Sequence, residues 1–520
     1  MNLCNIRFST FLMLRLVFFM GTLALTWTDA EAQQKRRIDI EHALSLETNE
    51  QIVANAQRLL GEVRIRHNEV LMWCDSAYAY TGTNKVDAFG NVHINQGDTI
   101  HLYADKINYD GDISFARAIG NVRLINKTTT LFSDTVDYDL TQNIGYYDDK
   151  GKIEDSTSVL TSQIGRYFVD QDVVWFYIDV EGKNENYTLN TDTAMYNTVT
   201  GLFTIQGPTF IKDSLNTIYA EDGWYNSQTG EGRLLKNPYV FNEEQQLKGD
   251  LIDYNRANAY GSAKGSVEII DIKNNVIVRG MNAWYDEERE IAYMTDSAVF
   301  ILINKEDSLY LHADTLKTIP DTLKDEKIIK AYHGVRFYRT DLQGKCDSLV
   351  YFSADSTVQM FNSPVLWSET HQLSASYIQI KSHADAPDEL QMNNDAFIIS
   401  QHDTTMYDQI KGKNMVGYIV ENELNQIDVD GNGQTLYYAT DKGEVIGLNR
   451  AESSKITIRF QEGKIHQIRF LTMPEGKMTP IPQLSNEERL LPGFEWKAEL
   501  RPVSKDDIFR KQVLPSISAD

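Results

Sequence analysis

Leu102-Tyr103-Ala104-Asp105-Lys106-Ile107-Asn108-Tyr109 returns one period later as Leu131-Phe132-Ser133-Asp134-Thr135-Val136-Asp137-Tyr138. It returns again as Leu189-Asn190-Thr191-Asp192-Thr193-Ala194-Met195-Tyr196 and as Leu247-Lys248-Gly249-Asp250-Leu251-Ile252-Asp253-Tyr254. With its aspartate as anchor, the phrase falls at positions 75, 105, 134, 163, 192, 221, 250, 281, 314, 347 and 376, in steps of 29 to 33 residues. Self-similarity at such a period means one supersecondary unit stacked many times. Each unit buries its apolar face only against its neighbours. The aspartate itself stands at Asp75, Asp105, Asp134, Asp192, Asp250, Asp314 and Asp347. A group repeated on every rung reads as a structural anchor, because catalysis needs a local and asymmetric constellation.

A second landmark follows each anchor, as in Ala88-Phe89-Gly90-Asn91-Val92, Ala118-Ile119-Gly120-Asn121-Val122 and Ala263-Lys264-Gly265-Ser266-Val267. Turn signals such as Asp110-Gly111-Asp112 and Thr229-Gly230-Glu231 lie between the landmarks. One repeat is therefore an outgoing strand, a polar turn, a returning strand with a mid-strand glycine, and a second turn. Parity along the outgoing strand adds a bend. Three residues before the anchor stands a large aliphatic group, and one before it a small residue: Ala104, Ser133, Ser162, Thr191, Ala220. Beyond the anchor the apolar set changes parity, with Ile107, Val136 and Ile252 two residues on and a tyrosine four residues on. A parity change inside one strand requires a bulge. The small–Asp pair is its expected place, with the carboxylate capping backbone N–H groups freed there. The returning strand is expected to bend at its glycine. The predicted fold is all-β: an elongated, solenoid-like stack of V-shaped antiparallel hairpins with an apolar interior between two facing sheets.

The two ends differ from this array. Arg7 and Arg15 accompany an apolar run from Phe11 to Trp27 that closes on Ala30-Glu31-Ala32, the pattern of a cleaved secretory signal over residues 1–32. Residues 33–58 read as a lead-in, 59–404 as the repeats, 405–472 as a further β region, and 473–520 as a proline-rich tail with short helices. Six of the eleven prolines lie beyond residue 473, and Ser485-Asn486-Glu487-Glu488 is a capping box. That tail is expected to cap the stack or to dock on a partner. The net charge of −24 disfavours nucleic acid and anionic membrane surfaces as partners. Cys74 and Cys346 occupy the same repeat position nine repeats apart, on the order of 80 Å at strand spacing, and read as free buried thiols.

Candidate chemical motifs are weak. Asp428-Val429-Asp430-Gly431-Asn432-Gly433 imitates an EF-hand start, but the twelfth position is Ala439 and strand residues follow, so a Gly-Asn turn between strands is expected. The histidines show no spacing suited to zinc. Trp224, Trp284 and the repeat tyrosines read as core or cross-strand ladders. No cofactor, metal site or enzymatic activity is expected.

The paired phrases at residues 99–124 resemble the OstA-like family of LptA-type lipopolysaccharide-transport periplasmic proteins, over roughly residues 50–400, in the long form of Bacteroidota. The resemblance implies a β-jellyroll that holds lipid A acyl chains between its sheets. It also implies a periplasmic location, possible association with the outer membrane, and other jellyroll components as partners through end-to-end strand addition. The lipid groove would be lined by Leu102, Leu131, Leu160, Leu189, Ile218, Leu247, Val278 and Leu311, by Ile107, Val136 and Ile252, and by Val92, Val122 and Leu124. Two other readings are a structural or adhesive surface solenoid with a filled core, and a carbohydrate-active β-helix enzyme. A filled core wants bulky groups throughout, whereas the small row before the anchor would leave room.

Overall fold

A computed structural model describes residues 37–48 and 55–510 apart from 81, 98, 325, 422, 442, 462 and 463. The signal-like segment and the last ten residues lie outside this set. The described chain is all-β, in one antiparallel ladder that follows the sequence. Asp39–His42 and Ser45–Thr48 both pair with Gln57–His67 at one end, and Lys464–Leu471 and Glu475–Thr479 both pair with Glu444–Gln461 at the other. The ladder continues unbroken through residues 405–472.

Each long strand is creased at the anchor. Ile100–Asp110 pairs up to Ala104 with the strand before it and up to Tyr103 with the strand after it, slips, and resumes with both at Lys106. The slip on the partner strands falls between Phe89 and Val92 and between Ile119 and Arg123. Gly90 and Asn91 have φ of 75° and 45°, Gly120 and Asn121 80° and 46°. This is left-handed backbone, which glycine and asparagine tolerate best. A Cβ on Gly90 would stand 2.4 Å from Asp75 Oδ2, so space as well as φ requires glycine. Before the crease a strand belongs to one half-sheet, after it to the other, and the parity change keeps apolar groups on the inside of both.

The anchor carboxylates act differently from the expectation. Asn91 Nδ2 donates to Asp75 Oδ2 at 2.9 Å, and Asn121 Nδ2 to Asp105 Oδ2 at 2.8 Å. Asn362 Nδ2 and Ser348 Oγ serve Asp347 at 3.3 and 2.7 Å. The donors are thus side chains, because the aspartate sits on the outer side of the crease beside the Gly-Asn pair of the next strand. Asp428–Gly433 is another such crease, with Gly431 and Asn432 at φ 81° and 49°, inside Glu423–Asp441 rather than between strands. Cys74 and Cys346 are free and buried, and burial pushes their thiols up to about 11 and about 12.

The tail adds one short strand, Glu475–Thr479, to the ladder and then runs on past its end. Ser485 and Glu488 do form the reciprocal cap, on the short 3-10 turn Glu487–Arg489. The chain then folds back across the outer face of the first half-sheet. Leu491, Phe494 and Trp496 join Phe397, Ile399, Leu436, Tyr438 and Leu448, and further on Ile508 joins Val299 and Ile301. Three buried glutamines hold this strap. Gln409 Nε2 donates to Arg489 O while its Oε1 accepts from Leu491 N. Gln372 Nε2 donates to Glu495 O and its Oε1 accepts from Lys497 N, and Gln343 Oε1 accepts from Arg501 Nε. All three belong to one cross-strand row, Gln343–Trp367–Gln372–Ile399–Gln409–Leu436.

Beside Gln409, burial pushes the Asp408 carboxyl up to about 6, against one bond from Tyr438 N at 2.9 Å. A carboxyl raised in the folded state binds its proton more tightly there than in the unfolded chain. Its penalty is absent below the ordinary carboxyl range and grows as pH rises from about 4 through 6. Asp408→Asn is therefore expected to stabilise the fold above pH 6 by roughly 1–3 kcal/mol and to change little near pH 4. Urea unfolding at the two pH values reads this out.

Candidate functional site

The interior between the half-sheets carries one uninterrupted cross-strand row. From Met72 it runs through Ile94, Leu102, Leu124, Leu131, Ile153 and Leu160, past Gly182 to Leu189 and Ile211. It continues through Ile218, Val240, Leu247, Ile269, Val278 and Phe300 to Leu311. The facing half-sheet carries a second row in which tyrosine alternates with smaller residues, such as Tyr138–Gly145–Tyr167 and Tyr225–Gly232–Tyr254–Gly261–Tyr285. Both rows follow from the repeat: the aliphatic group precedes the crease and the tyrosine follows it.

Along the first repeats this interior is sealed. Leu102, Leu131, Leu124, Ile107 and Val136 are 0% exposed, and Val92, Val122, Leu160 and Leu189 are also buried. The small residues before the anchor sit where the half-sheets converge, so they fit the crease and leave no channel there. Ser133 Oγ, for instance, donates to Lys150 O at 2.8 Å, and Ser162 Oγ to Ile164 O at 2.8 Å. Opposite the crease, the mouth is bridged by polar pairs that end on the tyrosine row. His67 Nδ1 lies 2.6 Å from Tyr109 Oη, Asn126 Nδ2 donates to Tyr167 Oη at 3.2 Å, and Tyr196 Oη donates to Asp155 Oδ2 at 2.6 Å. Gln96 Nε2 reaches across to Leu140 O and Asn143 Oδ1.

Between residues 218 and 309 the mouth opens. Ile218, Val240, Leu247, Ile269, Val278, Phe300 and Leu309 keep their inward position but are only partly buried. Tyr138 and Tyr167 are 0% exposed, whereas Tyr254 and Tyr285, at the same repeat position, are 41% and 43% exposed. The turn residues explain the change. Asp213 Oδ1 accepts from Leu215 N and Asn216 N, and Asn242 Oδ1 from Glu244 N and Gln245 N, as Asp155 Oδ1 does from Thr157 N and Ser158 N, but neither meets a tyrosine hydroxyl among the described residues as Asp155 Oδ2 meets that of Tyr196. Neither Tyr254 nor Tyr285 has a hydroxyl partner among the described residues. Beneath them Leu234, Ile252, Ala263, Ala283 and Met294 form a buried floor. Burial and neighbouring carboxylates, Glu287 among them, hold both phenols above their ordinary value, so the two hydroxyls stay protonated.

Of the groove residues expected from sequence, Ile218, Leu247 and Val278 line this opening, and Ile252 and Leu311 are buried against it. The other nine lie in the sealed part. Asp75, Asp105, Asp134, Asp192, Asp250 and Asp314 are exposed outside the crease, and Asp347 is half-buried there. Sequence reasoning passed over Ile269, although it stands four residues after Gly265 as Leu124 stands after Gly120. Val240 and Phe300 follow no crease glycine and gave no such signal.

Residues 35–192 match the family model described as OstA-like protein. The chain carries an OstA-like domain. That stretch covers the sealed repeats, and the same creased geometry continues beyond it to the last strands. OstA-like domains are lipid- and lipopolysaccharide-transport modules of a non-enzymatic kind. No curated protein matches the chain. Among the described residues no helix is long and apolar enough to cross a membrane, and no group of three or more His, Cys, Asp or Glu could hold a metal ion.

Proposed function

We propose that this is an exported, periplasmic lipid-binding protein that carries or bridges lipopolysaccharide toward the outer membrane, with acyl chains held between the half-sheets. The observation that carries this reading is the accessible stretch of the interior row from Ile218 to Phe300 below the unlatched Tyr254 and Tyr285. Each CH₂ transferred there contributes about 0.8 kcal/mol, so several acyl chains bind without a charged pocket. Among the described residues the end strands each have one edge without a partner strand, which supports strand addition by other jellyroll components. The sealed interior of the OstA-like stretch favours a second reading, a structural solenoid whose core is simply filled.

Native mass spectrometry of residues 33–520, purified from a periplasm without detergent, separates the two. The lipid reading expects a discrete adduct that fragments to lipid A. A bare mass that persists after incubation with lipopolysaccharide would leave the structural solenoid.

A further inference from the structure

Beneath the strap, on the outer face of the first half-sheet, runs the cross-strand row His312–Arg336–Lys345–Val365. The strap covers it: Phe509 packs on His312 with ring centroids 4.9 Å apart, and Arg501 Nε donates to Gln343 Oε1 at 2.7 Å in the next row. Arg336 is 4% exposed, and Lys345 opposite it is half-buried. Among the described residues neither side chain makes a hydrogen bond or an ion pair. Buried charges are ordinarily paired, so two such cations side by side call for a counter-ion.

The acids nearby are engaged elsewhere. Asp507 accepts from Val503 N at 3.0 Å and from Arg510 Nε at 2.7 Å, and Glu495 pairs with Lys497 at 2.8 Å. The strap adds further positive charge, Arg510 toward Arg336 and Lys497 toward Lys345. Burial first, and then these cations, hold both groups below their ordinary pKa values. In a chain of net charge −24 this local excess of cations is not a general property of the surface.

We infer that Arg336 and Lys345 form a binding site for a phosphate group, enclosed by the strap. The guanidinium is a planar fork of donors that matches phosphate oxygens, and the ammonium on the neighbouring strand supplies a second charge. A phosphate carries about −1.5 to −2 at neutral pH, which matches two unpaired cations, whereas a carboxylate offsets only one. At 4% exposure Arg336 is out of reach of a polymer while the strap is closed. The site lies outside the interior, so this inference does not rest on lipid binding between the sheets.

The test titrates the full mature chain with inorganic phosphate by isothermal calorimetry. Saturable binding is expected, with a Tm that rises with phosphate but not with chloride at equal ionic strength. Lys345→Gln is expected to weaken binding at least tenfold, from the loss of one charged contact. Arg336→Met is expected to abolish it and to raise Tm in phosphate-free buffer, because an apolar side chain replaces an unpaired buried charge. Should that variant fail to fold, the half-buried Lys345→Gln carries the test. A soluble short-chain phosphatidic acid distinguishes the source of the phosphate. Inorganic phosphate closes the site and slows proteolysis of the strap between residues 497 and 510, whereas phosphate borne on a lipid lifts the strap and speeds it. Binding of either probe that Lys345→Gln weakens supports the site. No saturable binding of either, undiminished binding by the folded variant, or a stabilisation that chloride reproduces would each overturn the proposal.

Discussion

Leu131→Asp, alone or together with Leu189→Asp, is expected to prevent folding of the sealed repeats. Leu131 is 0% exposed and lies between Leu124 and Ile153 in the interior row. The substitution removes about 2–3 kcal/mol of apolar burial and places a carboxylate where no partner reaches it, at a cost of several kcal/mol more. A domain's whole stability is about 5–15 kcal/mol. In a stacked array the damage spreads through neighbour contacts, since each repeat is held by the next. Circular dichroism and proteolysis of the purified chain check this. Leu247→Asp provides the contrast. Its side chain is only partly buried at the opening, so the charge reaches water, the chain folds, and lipid retention falls.

Gln409→Ala is the second large effect, and it acts on the strap. Gln409 is 0% exposed and satisfies one backbone carbonyl and one backbone N–H of the tail. Its loss leaves the buried Leu491 N–H unpaired, at about 1–3 kcal/mol, and takes a partner from the part-buried Arg489 carbonyl. The strap is then expected to open over Phe397, Ile399, Leu436 and Tyr438. Limited proteolysis between residues 484 and 500 should accelerate about 30-fold or more, on a loss of about 2 kcal/mol, while the strands stay protected. Unchanged cleavage would mean that apolar contact alone holds the strap. Exposure of that cluster is also expected to raise aggregation.

The crease and the interior row were legible because each depends on parity and on residue type at fixed offsets from the anchor. The Gly-Asn pairs marked one half of the crease and the small–Asp pairs the other. The chemistry of the anchor was less legible: Asp75 and Asn91 are 16 residues apart and meet only across strands. The opening was not legible at all from the rows that line it, since Leu131 and Leu247 are the same residue at the same offset. What differs is the reach across the mouth: Asp155 bonds to its own turn through Oδ1 and also accepts from Tyr196 through Oδ2, whereas Asp213 and Asn242 bond to their turns and meet no tyrosine hydroxyl among the described residues. The strap was not legible because Gln343, Gln372 and Gln409 fall at no marked position of the repeat phrase. Only the returning tail, more than 80 residues away in sequence from Gln409, turns them inward.

Site-specific photocrosslinking in the periplasm tests the central claim most directly, with a benzophenone amino acid placed at Leu247 or Val278 and, as comparison, at the outward Lys248 or Arg279. The account predicts lipid A-containing adducts from the first two positions and none from the second two. Adducts at the outward positions alone, or at none of the four, would contradict the assignment of the opening between the half-sheets as the lipid site.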